Sequence, residues 1–210
     1  MTFPMHDLQT LVGLIVIVNP LLAVTAFATL TQDNDLAQRR VTAQRAALTV
    51  GIVLSLAALV GRPLLHVLGI GLPAFQVGGG ILILLMAIAM LHARMSGARH
   101  TQDEANEAIQ SQQIGVVPLG IPLLAGPGAI STVIIYAHQQ SDWLWSVLLV
   151  GEICLVAGLV WLALSLGDRL IHRLGQTGVN VASRIMGLIL AAIAVQFMTH
   201  GLQSLLPGLA

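Results

Sequence analysis

Two short motifs carry the chemistry of this chain. Val18-Asn19-Pro20 and Gly126-Pro127-Gly128 each put a proline near the centre of a long apolar stretch. A proline inside a helix removes one hydrogen bond and clashes with the preceding turn. In lipid, the backbone groups freed this way need another partner: a neighbour, water or a ligand. Asn19 is a good N-cap, and Pro20 then takes the first helical position, where its missing N–H costs nothing. Gly126 before Pro127 reads the same way with less capping, and Gly128 adds access to the backbone. Two half-helices are therefore expected, over 20–31 and 127–138, each starting at mid-membrane. Helix N-termini carry partial positive charge and free N–H donors. Between two such ends lies a pre-oriented pocket for a small anion or carboxylate. The expected substrate-binding residues are Asn19, Pro20, Thr25, Gly126, Pro127, Gly128, Ser131 and Thr132, the hydroxyls and the amide adding side-chain hydrogen bonds. No Arg lies near either break, which suits a small zwitterion better than a full anion.

Glu152 is the candidate for ion coupling. It lies nine residues past Trp143, roughly 13 Å deep at the rise of an α-helix. A carboxylate at that depth is costly and is usually functional or paired. It could take up a proton during transport or hold a structural hydrogen bond. Gln76, Ser183 and Gln196 face either a path or another helix, and Gly78-Gly79-Gly80 is read as close packing against a broken helix. Seven His fall at span ends or in loops without metal-ligand spacing, and Cys154 is read as packing. No phosphate-loop, nucleophile-elbow or dinucleotide motif is present, so no enzyme is expected. No cofactor is expected beyond Na⁺ or H⁺ as a coupling ion.

The elements that hold these residues follow from composition. Of 210 residues, 56% are hydrophobic and 9% charged, against roughly 25% charged in a soluble domain. The mean hydropathy is +0.88. Such a chain cannot cover itself with polar groups, so its solvent is the lipid bilayer. Its nine cations, all Arg, are too scattered for nucleic acid. Six apolar stretches are long enough to cross, at about 8–31, 42–61, 71–91, 114–138, 143–166 and 183–205. The first has no basic segment ahead of it and reads as a retained helix rather than a removed signal peptide. With the N-terminus outside, Arg39, Arg40, Arg45, Arg94, Arg99, Arg169, Arg173 and Arg184 face inward and only Arg62 faces outward. Arg-rich loops stay cytoplasmic, so both termini are expected on the periplasmic side. Trp143 and Trp145 are expected at the outer interface.

A shift of 107 positions superposes Gly13 on Gly120, Pro20 on Pro127, Thr25 on Thr132, Gly51 on Gly158, Gly80 on Gly187 and Ala87 on Ala194. The breaks, turns and spans keep this register throughout. The expectation is an all-α polytopic protein, one membrane domain over 1–210. It divides into three-helix repeats at 8–93 and 114–205, joined by a cytoplasmic connector at 94–113. Three spans per repeat force the second to enter from the opposite side, giving inverted repeats with spans one and four discontinuous. That is a secondary-transporter architecture, with substrate at the midplane on broken helices.

The segments IVNPLLAVTAFATLT and VPLGIPLLAGPGAISTVI resemble the two signature regions of the MarC family, which includes SnatA-type small neutral amino acid transporters. The likeness extends to GVNVASRIMGLILAAIAVQF in the sixth span. The resemblance implies an inner-membrane protein with inverted three-helix repeats and, for some members, cation-driven transport of glycine, alanine or similar amino acids. The sequence departs from several relatives in reading Leu21-Leu22 just after the Asn-Pro pair, which bears on pocket size. The leading expectation is thus a secondary transporter for a small neutral amino acid. The alternative is a non-transporting or channel-like protein of the same family that affects permeability or drug response. Substrate, coupling ion, direction and oligomeric state stay open.

Overall fold

The computed structural model describes residues 3–92, 115–116, 119–139 and 143–206. The connector at 94–113, with Arg94 and Arg99, lies outside the described residues. Among the described residues all regular structure is helical. Helix α1 is Phe3–Val18, α2 is Pro20–Leu30, α3 is Leu36–Val67 and α4 is Leu72–Leu91. A π-helical segment, Leu119–Leu124, precedes α5 (Pro127–Gln139), α6 (Trp143–Ser165) and α7 (Gly167–Leu205).

Five stretches are long and apolar enough to cross a bilayer: Leu8–Leu30, Leu36–Val67, Leu72–Leu91, Trp143–Ser165 and Thr177–Leu205. They match five of the six expected spans. The remaining one, 114–138, is split. Helix α5 has 13 residues, about 20 Å of helix, which by itself falls short of a roughly 30 Å hydrocarbon core. Residues such as Leu48, Ile52, Leu56 and Leu59 on α3 are more than half exposed. On a soluble protein a face this apolar would aggregate; here it is the surface that meets lipid.

Two helices are longer than their apolar stretches. Helix α3 starts at Leu36 rather than 42 because Asp35 and Gln38 form a capping box. The Gln38 N–H donates to Asp35 Oδ1 at 2.7 Å, and the Asp35 N–H donates to Gln38 Oε1 at 3.2 Å. Two end donors are thereby satisfied, so the helix begins in polar sequence before it reaches the core. Helix α7 starts at Gly167 rather than 183 and bends at Gly175, whose φ of 63° and ψ of 172° is a conformation suited to glycine.

Trp143 is exposed, as an interfacial ring should be, but Trp145 is buried. Its indole Nε1–H donates to the Tyr136 carbonyl oxygen at 2.9 Å. A carbonyl near the end of α5 lacks a helical partner, and the indole supplies one.

The tightest packing is between α4 and α7. A Cβ added to Gly80 would lie 2.9 Å from the Ala194 carbonyl oxygen, and one added to Gly187 would lie 3.1 Å from the Ala87 carbonyl oxygen. The positions climb along α4 as they descend along α7, so the two helices are antiparallel. Small residues permit such close backbone approach in lipid, where no hydrophobic force drives helices together. Helix α3 packs against α6 and α5, while α1 runs beside α5 and α2 beside the π-helical segment.

A candidate solute site between two interrupted helices

The first interruption occupies a single residue. The Asn19 N–H still donates to the Ile15 carbonyl at 2.9 Å, so α1 runs right up to the break. Asn19 itself is left-handed, with φ 51° and ψ 67°. Asparagine tolerates that conformation better than other residues with a side chain. Its Oδ1 accepts the Leu22 N–H at 3.2 Å, and its carbonyl accepts the Ala23 N–H at 3.3 Å. Pro20 brings no N–H. Within the first turn of α2 these bonds leave the Leu21 N–H unused. The expected cap is therefore present, with α2 at Pro20–Leu30 beside the expected 20–31.

The second interruption is wider. Ile121 is extended, with φ −129° and ψ 129°, inside the π-helical segment. The Ile121 N–H reaches Val116 O at 2.8 Å and the Ala125 N–H reaches Gly120 O at 2.9 Å. The chain then restarts as α5 at Pro127, again at the expected residue. The Ile130 N–H bonds Gly126 O at 3.0 Å. Gly126 has no side chain with which to cap, so the Gly128 and Ala129 N–H groups head this helix.

One face of α4 ties the two breaks together. Gly79, Ile83, Met86 and Met90 are spaced by three or four residues and share a face. A Cβ on Gly79 would lie 2.9 Å from Ser131 Cβ; one on Gly128 would lie 2.9 Å from Met86 Sδ and 3.5 Å from Ile83. Asn19 Nδ2 donates to Met90 Sδ at 3.5 Å. Met86 and Met90 are one turn apart, so α4 holds the breaks at nearly one level, about 6 Å apart along its axis.

Of the eight expected binding residues, Asn19, Gly126, Gly128, Ser131 and Thr132 are buried, Pro20 and Thr25 are half-buried and Pro127 is exposed. The hydroxyls turn back onto their own helices. Thr25 Oγ1 donates to Leu22 O at 2.7 Å, Ser131 Oγ to Pro127 O at 2.7 Å and Thr132 Oγ1 to Gly128 O at 2.8 Å. Each hydroxyl thus spends its hydrogen and keeps an oxygen able to accept.

Glu152 lies elsewhere. It is half-buried on α6, and its carboxylate interacts electrostatically with the Tyr136 hydroxyl. Tyr136 is nine residues beyond Pro127, about 13 Å along α5. Its hydroxyl packs against Gly13 of α1, and its ring meets Phe197 edge-on at 6.0 Å.

Of the three successive glycines, Gly79 meets the broken helix as expected. Gly80 serves α7 instead, and Gly78 faces open space. Gln196 is exposed, and Cys154 is exposed as well, contrary to its reading as packing. Sequence reasoning missed Met86, Met90 and Tyr136. The i, i+4 spacing of the two methionines placed them on one face of α4, but nothing local said which face met the breaks.

No solved structure matches this chain. The UPF0056 membrane protein YhcE of Escherichia coli is 33% identical over 207 residues, covering 99% of this chain and 96% of that protein. A UPF0056 membrane protein of Aquifex aeolicus is 33% identical, covering 94% and 92%. The UPF0056 membrane protein MJ1677 of Methanocaldococcus jannaschii is 35% identical, covering 90% and 92%. The description "MarC family integral membrane protein" matches residues 6–206, and with relatives this similar along nearly their whole length the chain belongs to the MarC family of integral membrane proteins.

Proposed function

We propose that this protein is a secondary transporter for a small neutral amino acid, bound between the α2 and α5 N-termini. The observation that carries this reading is the pair of interruptions held one α4 turn apart, each followed by a proline-led helix. A secondary transporter places its solute where irregular backbone lines a site rather than facing lipid.

The two ends are unequal in their donors. Asn19 already occupies one α2 donor, whereas α5 presents the Gly128 and Ala129 N–H groups without a side-chain cap. The substrate carboxylate accordingly belongs at α5, and the hydroxyl oxygens of Ser131 and Thr25 can accept from its ammonium. Met86 and Met90 pack against the two breaks, which favours glycine- or alanine-sized solutes.

Inverted repeats are supported by the α4–α7 crossing. The 107-residue shift converts Gly80 into Gly187 and Ala87 into Ala194. The Gly80–Ala194 and Gly187–Ala87 contacts thus exchange under it, as a two-fold axis requires. Repeats over 8–93 and 114–205 rocking about that crossing provide alternating access. Arg distribution supports an orientation with both termini periplasmic, the family resemblance supports the inner membrane as its location, and the proposed driving force is an H⁺ or Na⁺ gradient.

Proteoliposomes preloaded with glycine or alanine test this reading. Saturable counterflow of labelled substrate, abolished in Asn19→Leu and in Gly126→Leu, is the expected result. Leakage that never saturates would identify a channel, and no flux at all with the family's small amino acids would sink the assignment.

A further inference from the structure

A cavity of about 630 Å³ opens where α3 begins and α6 ends, away from the helix breaks. Arg39, Arg40, Arg169, Gln44, Ser165 and Trp161 are among its walls. The Arg39 guanidinium lies 5.5 Å from the centre of the Phe27 ring, which helps to hold it at the cavity wall. Guanidinium groups that share the wall of one hollow can give charge-assisted, bidentate hydrogen bonds to a phosphate.

A second hollow, of about 830 Å³, follows the outer seam between α3 and α6. Leu48, Ile52, Leu56, Leu59, Cys154 and Gly158 form much of its wall. A Cβ on Gly158 would meet nothing within 4 Å, so the seam is open there. Gln44 and Trp161 line both hollows, so the charged cavity and the apolar seam adjoin at these two side chains. From Gln44 to Leu59 the seam runs about 22 Å along α3. That exceeds the roughly 15 Å between headgroups and bilayer midplane.

We propose that this compound hollow binds one anionic phospholipid, with its phosphate among Arg39, Arg40 and Arg169 and one acyl chain in the α3–α6 seam. A zwitterionic lipid would bring its own cation up to three guanidinium groups and is disfavoured. Free phosphate lacks the chain that fills the seam. The bound lipid would join the start of α3 to the α6–α7 turn. The assignment is independent of whether the protein transports a solute.

Native mass spectrometry of the full-length protein in non-ionic detergent tests it, with phosphatidylglycerol, phosphatidylcholine of the same chains, and inorganic phosphate as probes. The expected result is one retained phosphatidylglycerol per chain, bound at least tenfold more tightly than phosphatidylcholine and not displaced by millimolar phosphate. Each arginine removed should weaken binding about fivefold, so Arg40→Gln should lose about fivefold and the Arg40→Gln, Arg169→Gln pair about 25-fold. Leu56→Trp, or Leu48→Trp if the first fails to fold, fills the seam with charge unchanged and should also weaken binding. Arg62→Gln, at the other end of α3, should leave it intact. Equal retention of the two lipids overturns the proposal. So does displacement by phosphate, or a loss in Arg62→Gln equal to that in Arg40→Gln.

Discussion

Asn19 Nδ2 donates to Met90 Sδ at 3.5 Å across 71 positions of sequence. One asparagine thus does two jobs. Its oxygen caps α2, and its nitrogen ties the break to α4.

The break should respond to backbone conformation as much as to the side chain. Asn19→Leu forces a γ-branched residue into the left-handed region, at about 1–2 kcal/mol, and removes the cap, at about 1 kcal/mol. Asn19→Gly tolerates the same φ and loses only a few tenths of a kcal/mol in capping. Thermal unfolding in detergent should show a clear fall in Tm for Leu and a small one for Gly. Equal Tm values in the two variants would mean that the left-handed turn is not retained.

Gly128 and Met86 form a testable pair. A Cβ on Gly128 would lie 2.9 Å from Met86 Sδ, the far part of a flexible side chain. Gly128→Ala should lower solute flux severalfold by pressing a methyl group against Met86 beside the α5 N-terminus. Met86→Ala added to it should restore part of that flux. A double variant worse than Gly128→Ala alone would show that the methionine shapes the site rather than crowding it.

The α4–α7 crossing should answer alike from both sides. Gly80→Leu and Gly187→Leu each press a side chain into a facing carbonyl, and overpacking of this kind costs about 1–3 kcal/mol. Both should lower Tm by similar amounts, read in one detergent. A drop confined to one of them would argue against the proposed two-fold relationship.

If Glu152 carries the coupling proton, Glu152→Gln should flatten the pH dependence of uptake. Counterflow, which needs no net proton movement, should survive. An unchanged pH profile would leave Glu152 with an electrostatic role toward Tyr136 alone.

Much of this was legible in the sequence because it is local chemistry. Asn-Pro and Gly-Pro-Gly in apolar stretches state where a membrane helix must stop, since a missing N–H and a ring clash act within one turn. Both restart residues, Pro20 and Pro127, follow from that alone. Composition determined the solvent. Helix ends were less legible: the Asp35–Gln38 box extends α3 beyond its apolar core, which hydropathy cannot register. Only the tertiary structure decided what meets the breaks. Met86 and Met90 reach them, Gly79 admits Ser131, and Glu152 interacts electrostatically with Tyr136. The cause is physical: in lipid no hydrophobic force drives one helix against another, so rotation is set by steric fit between small and large residues, and by polar contacts, on helices far apart in the chain.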